Sequence, residues 1–229
     1  MSDEICDIHD VTKAASDLVA LGCTVGATHL FDSFLQLQFS SVISSYANEI
    51  IQAVDEGLIS ARQGIQEIMD EYAELSAKAL FYTQNGVGVV AGIMQVQTGS
   101  SLIGNSKIVG APTGVLYVAH GVNNIYEGVG NIYNGPKSPS TVGPIRQGYQ
   151  WLAEDIHTGN ITYYSVDLGL SAFGLWRSVR KRESVELFTR DPLNYERAYK
   201  QMGRLALAFE ALVDAITIRS TADEIDMKQ

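Results

Sequence analysis

Glu154, Asp155 and His157 are the one cluster in this 229-residue chain whose types and spacing suit proton transfer. Residues three apart share a helix face, so the Glu154 carboxylate and the His157 imidazole can share a proton as a general acid–base pair. A second partner such as His120 has to come from elsewhere in the fold. Cys6, Asp7, His9 and Asp10 offer metal-ligand chemistry near the start of the chain, but a structural zinc site uses four well-spaced ligands. A loose N-terminal segment is the simpler reading. Asp167 is the one charge in the apolar run 161–176, which leads directly into Arg177, Arg180, Lys181 and Arg182. A buried, hydrogen-bonded carboxylate accounts for Asp167. The basic flank fits either anchoring to anionic lipid or pairing with a helix C-terminal dipole. Phosphate-loop, nucleophile-elbow and zinc-finger spacings do not occur. The expectation is therefore a protein without catalytic residues, metal or cofactor.

The elements that must position these residues are constrained by composition. Charged residues make up 18% of the chain, apolar residues 46%, and mean hydropathy is +0.04. Intrinsic disorder needs the opposite balance. A net charge of −10 with a pI near 4.8 excludes a nucleic-acid partner, because phosphate neutralisation needs a basic face. Two cysteines cannot make a disulfide framework and read as reduced thiols. The first residues are acidic where a secretory leader starts basic. The expected location is the cytoplasm of the producing cell, with delivery to a target cell without a cleaved leader.

Charge divides the chain into three blocks. Residues 1–78 carry thirteen acids against Lys13, Arg62 and Lys78, and so hold a net −10. Residues 79–145 contain only Lys107, Glu127 and Lys137, while 146–229 nearly balance with eleven bases and twelve acids. The acidic block reads as amphipathic helices. Asp10 caps a short first helix to about Leu21. A second runs from about Thr28 to Glu56, with Phe31, Phe34, Leu35, Val42, Ile43, Tyr46, Ile50, Ile51 and Val54 on its buried face. Ser60 and Gln63 form a capping-box pair that opens a third.

The central block carries the most information. No charge occurs between Lys78 and Lys107, and 86–104 spans about 28 Å if helical at ~1.5 Å per residue. A turn around Lys107 leads into a second weakly polar arm, 114–133. Gly114, Gly121, Gly128 and Gly135 recur every seven residues, Gly92 and Gly99 keep the same spacing, and Gly88 with Gly92 makes a GxxxG. Each mid-helix glycine costs ~1 kcal/mol relative to alanine, so something must offset several kcal/mol. Close helix–helix approach is one offset and irregular turns are the other reading. Gln95, Gln97, Asn123 and Asn124 dilute the apolar character below that of a standing transmembrane pair. Two readings stay open: a hairpin sheathed by amphipathic helices and released into a bilayer later, or the core hairpin of an ordinary bundle.

In the last block, a helix from Pro144 to His157 is expected to break at Thr158-Gly159-Asn160, with a second apolar stretch from Ile161 to Trp176. Asp191 and Pro192 predict a cap and first turn for a helix whose stripe runs Tyr195, Tyr199, Met202, Leu205, Phe209, Leu212, Val213, Ile216, with a frayed tail after Arg219.

The run Gly110-Ala-Pro-Thr-Gly-Val-Leu-Tyr-Val-Ala-His-Gly-Val-Asn-Asn-Ile-Tyr-Glu127, followed by Val166-Asp-Leu-Gly-Leu-Ser-Ala-Phe-Gly-Leu-Trp-Arg177, resembles an uncharacterised bacterial family, domain of unknown function forty-two twenty-five. The resemblance covers roughly residues 80–185 and implies company with type VI secretion and related antibacterial toxin systems, some acting on membranes. It supplies no catalytic residues. The expected fold is one all-α domain, a multi-helix bundle around glycine-rich central hairpins. The expected function is a membrane-disrupting, pore-forming-like antibacterial toxin whose partners are a target-cell membrane, a cognate immunity or adaptor protein, and possible further copies of itself in the membrane. Gly88, Gly92, Gly99, Gly114, Gly121, Gly128, Gly135, Lys107 and Asp167 are the residues expected to pack or insert, with Arg177, Arg180, Lys181 and Arg182 facing lipid. The alternative is a non-enzymatic adaptor or immunity-type protein that uses the acidic block to recognise a basic partner.

Overall fold

The computed structural model describes residues 6–105, 110–181, 184 and 192–228. The fold is all-α: α1 (Ile8–His29), α2 (Ser33–Asp55), α3 (Ala61–Asn105), α4 (Gly110–Asn134), α5 (Pro144–Ala153), α6 (Ile156–Trp176) and α7 (Arg204–Lys228). A small antiparallel ribbon interrupts them, pairing β1 (Ser178–Arg180) with β2 (Tyr195–Arg197) in the register Val179 opposite Glu196. Two compact units divide the chain, residues 1–83 and 84–229, and α3 contributes to both.

In the first unit, Asp7 rather than Asp10 is the cap of α1. Its carboxylate accepts from the backbone N–H of His9 and Asp10, while Asp10 reaches back to the Asp7 N–H, closing a capping box. The helix runs eight residues beyond Leu21, to His29, because Gly22 and Gly26 do not stop it: they let α1 lie close against Ile43 and Phe39 of α2. The expected single helix over 28–56 is split, since Asp32 caps a new start by accepting from Phe34 and Leu35. The Ser60–Gln63 pair opens α3 as its spacing predicts. Val11, Ala15 and Leu18 of α1 pack with Ala47 of α2 and Ile68 of α3, and Ile43, Ile50 and Val54 close around them. Full burial of Leu18 or Ile68 is worth on the order of 1.5–3 kcal/mol each. Phe31, Phe34, Leu35 and Val42, expected on the buried face, are exposed. The split at Leu30–Asp32 starts a new helical phase, and only residues from Ile43 onward meet this core.

In the second unit, two sequence expectations move. The break between α5 and α6 lies at Glu154, in the left-handed region at φ 54°, and Asp155 caps α6 by accepting from the Thr158 N–H. The α6 helix therefore runs straight through Gly159 and Asn160. Gly159 is not a breaker: a Cβ there would collide with the backbone of Gln150, so glycine permits the close crossing of α5 and α6. The helix expected from Pro192 also fails to form at once. Pro192 opens a 3-10 turn, Tyr195–Arg197 is captured by β1, and α7 starts only after Gly203. Asp191 lies outside the described residues. At the far end α7 continues to Lys228, because Glu224 is drawn into the interior by polar partners instead of fraying.

Candidate functional site

The glycine heptads face each other across α3 and α4. A Cβ at Gly92 would sit 2.5 Å from the carbonyl of Gly121, and one at Gly99 would sit 2.5 Å from that of Gly114. The reverse distances, Gly114 to Gly99 O and Gly121 to Gly92 O, are 2.8 and 2.6 Å, and Gly128 would strike Asn85 O at 2.8 Å. Backbone is on both sides, so no side-chain movement relieves these contacts. Two residues expected in the stripe are not in it. Gly88 has open space around its Cβ position, and Gly135 terminates α4 at φ 79°, where glycine is the residue without a Cβ penalty. Lys107 lies outside the described residues.

Beside the glycine seam, α4 turns a polar stripe inward. His120 and Asn123 are 0% and 1% exposed, and Glu127 is buried with them. Asp167 of α6 is the hub of the network. Its Oδ1 accepts from Gln95 at 2.8 Å, lies 3.2 Å from His120 Nδ1, and receives a longer contact from Asn124. Asn124 in turn donates to Gln95 and accepts from the Tyr163 hydroxyl at 2.6 Å. The other imidazole nitrogen, His120 Nε2, lies 3.2 Å from the Tyr149 hydroxyl of α5. The imidazole stacks on the Tyr163 ring, centroids 4.7 Å apart and planes within 6°.

The network continues through Asn123 to Glu127, whose second oxygen pairs with Arg146 at 3.2 Å. Arg146, also buried, donates to Asn160 at 2.8 Å and lies over the Tyr164 ring. Asn160 donates to Glu224 of α7, and Glu224 takes His157 at 2.7 Å. A chain of ionisable and amide groups thus links α3, α4, α5, α6 and α7 without reaching solvent for most of its length.

The outward faces are the reverse. Val115, Val122, Tyr126, Val129 and Tyr133 form one stripe along α4, and all are more than half exposed, Tyr133 at 90%. On α5 the arginine is inside, while Trp151 and Leu152 are 81% and 75% exposed. Ile156, Phe173 and Trp176 do the same on α6. The expected concealment of an apolar wedge is therefore corrected: the buried side of α4 is polar, and its apolar side is already outermost. One helix among the described residues, Ala61–Gly104, is long and apolar enough to cross a membrane: its most apolar 18-residue stretch has a mean hydropathy of 1.2 and is 17% buried.

A cavity of about 300 Å³ opens beside Asp167, lined also by Gln95, Ser171, Arg177, Glu210 and Asp214. Burial, reinforced by Asp214, pushes the Glu210 carboxyl above the ordinary carboxylate range. The Arg177 Nε is enclosed and has no hydrogen-bond partner among the described residues.

The remaining candidates are placed differently from the sequence reading. His157 does not share a proton with Glu154; its partner is Glu224, and Asp155 is spent on capping. Asp7 and Asp10 are likewise spent on a cap, and no group of three or more metal-ligating side chains occurs among the described residues. Arg177 ends α6, but Arg180 stands on the ribbon, tied to Ser184, and Lys181 is anchored by its backbone to Asn194. The basic run is therefore not a helical extension, and Arg182 lies outside the described residues. Sequence reasoning missed the network around Asp167. Its signal was present: His120, Asn123, Asn124 and Glu127 fall at three- and four-residue steps in a block otherwise almost free of charge.

A family model described as "Protein of unknown function (DUF4225)" matches residues 49–203, the larger part of the chain. Neither a curated protein nor a solved structure matches.

Proposed function

We propose that this chain, which belongs to the DUF4225 family, is a membrane-disrupting effector whose second unit works against lipid. The single observation that carries this reading is the polarity of α4: His120, Asn123 and Glu127 inside, Val115, Val122, Tyr126, Val129 and Tyr133 outside. In water the arrangement is costly on both counts, since apolar surface stays hydrated while ionisable groups are desolvated. Against a bilayer the first cost falls, because side chains facing lipid are apolar, while the polar groups stay paired with one another in the bundle interior. The glycine seam is the packing device suited to that setting, where close backbone approach replaces hydrophobic drive. The mechanism begins with docking of the exposed apolar faces of α4, α5 and α6, and bilayer permeability follows.

A second reading, an adaptor or immunity-type protein, is favoured by the thirteen acids of residues 1–78. One experiment separates the two. The full chain is directed to the bacterial periplasm and the cells are loaded with a membrane-potential dye. Depolarisation, together with co-flotation of the purified protein on anionic vesicles, supports membrane action. Cells that keep their potential, with protein that stays at the bottom of the gradient, leave the adaptor reading standing.

A further inference from the structure

We propose that Asp167, His120 and Tyr149 form a proton relay running from the cavity to α5, an inference that rests on the membrane reading and specifies protons as the species carried. His120 is fully enclosed and cannot meet a substrate, yet each ring nitrogen has a partner at 3.2 Å, a carboxylate on one side and a hydroxyl on the other. Imidazole is the side chain able to take a proton at one nitrogen and release one at the other near neutral pH. Its carboxylate partner, Asp167, lines the cavity of about 300 Å³, which is roomy and polar enough for water. Tyr149, at the other end, is only half-buried. Burial and the Asp167 charge hold the Tyr149 hydroxyl above the ordinary phenol range, so it stays neutral and passes protons by exchange.

The groups facing this relay fit the assignment. From α3 the neighbour is the neutral Gln95, from α4 the neutral Asn124, and within α6 the hydroxyl of Tyr163. From α7, Glu210 and Asp214 line the same cavity and draw cations or hydronium towards Asp167, and Arg177 is the one basic side chain among the described residues that line it. A proton from cavity water adds to the Asp167 carboxylate and moves to His120 Nδ1. The imidazolium gives up its Nε2 proton to the Tyr149 oxygen as that hydroxyl releases its own to water. Loss of the hydrogen from Nδ1 and gain of one at Nε2 by proton exchange returns the imidazole to its first tautomer, and over the cycle one proton has entered for each that leaves. A purely structural network needs the hydrogen bonds but not an ionisable group at each position.

The test uses the full chain added to anionic phosphatidylglycerol-containing vesicles that trap a pH-sensitive dye, with valinomycin and potassium clamping the potential. Carboxyfluorescein release and flotation are measured in parallel. Wild-type protein should dissipate an imposed pH gradient faster than it releases carboxyfluorescein. Asp167→Asn keeps an acceptor for Gln95, and Tyr149→Phe keeps the ring; each should cut proton flux at least about tenfold while flotation is unchanged. Should Asp167→Asn lose its helical circular dichroism, Tyr149→Phe decides alone. Proton flux that survives both substitutions overturns the relay and leaves membrane action intact, as does equal loss of dye and protons through an unselective lesion. Wild-type protein that does not float overturns the membrane reading, and the relay with it.

Discussion

Arg146 is a guanidinium almost removed from water, held by Glu127 at 3.2 Å, by Asn160 at 2.8 Å and by the face of Tyr164. A buried pair of this kind adds little net stability over an apolar substitute, but removal of one partner strands the other charge. Glu127→Gln is therefore expected to destabilise the protein by about 3–5 kcal/mol, read as a lower urea midpoint. Lys78→Ala, which breaks the exposed pair with Glu74, should leave the midpoint unmoved. A midpoint insensitive to Glu127→Gln would mean that water already reaches Arg146. Glu210 makes the pH prediction at this scale. Its folded carboxyl is raised by burial and by Asp214, so its ionisation opposes folding. That opposition is absent below the ordinary carboxylate pKa and grows as pH rises through the raised folded value. Stability should thus increase as pH falls across that window, and Glu210→Gln should flatten this part of the curve and raise stability at neutral pH. Unfolding titrations of the two proteins across the window measure the difference.

Helices α3 and α4 meet along a seam where side chains are absent. The seven-residue spacing of Gly114, Gly121 and Gly128 returns each glycine to nearly the same side of α4, within the ~20° per heptad by which a straight helix drifts. Gly121→Leu combined with Gly128→Leu should abolish folding or membrane activity, because both Cβ atoms would meet backbone carbonyls. Gly88→Ala, in the same helix as Gly92 but in open space, should be neutral or stabilise by up to about 1 kcal/mol. Circular dichroism melts compare the two directly; equal destabilisation by both would mean that the seam is not the source of the cost. The seam was legible from period alone. Gly135 keeps the period, but the Asn134-Gly135-Pro136 run marks a loop, and its positive φ at the helix end bears that out. The α5–α6 break moved because Gly159 reads as punctuation in sequence and serves as a crossing point in space.

Across the whole molecule, charge and apolarity occupy different stretches. The first 78 residues carry a net charge equal to that of the entire chain, −10, and this repels anionic lipid at neutral pH. Acid lessens that repulsion, so vesicle depolarisation should rise as pH is lowered from about 7 towards about 4. A rate that is flat or falls over that range, measured with a potential dye on anionic vesicles, removes the acidic block from the mechanism.

Helix content, the glycine seam, the capping pair at Ser60 and Gln63, and family membership were all present in one-dimensional order, because periodicity and motif spacing are local properties of a chain. The Asp167 network was not. Residues 95, 120, 149, 163 and 167 belong to four helices, and their approach depends on crossing geometry that no spacing along one helix encodes. Which side of α4 faces inward was likewise decided by packing. The glycines, which must touch α3, bring His120, Asn123 and Glu127 inside with them and leave the valines and tyrosines out. For the same reason Tyr195–Arg197 became strand: its pairing with β1 is a contact distant in sequence that the local helical pattern does not encode.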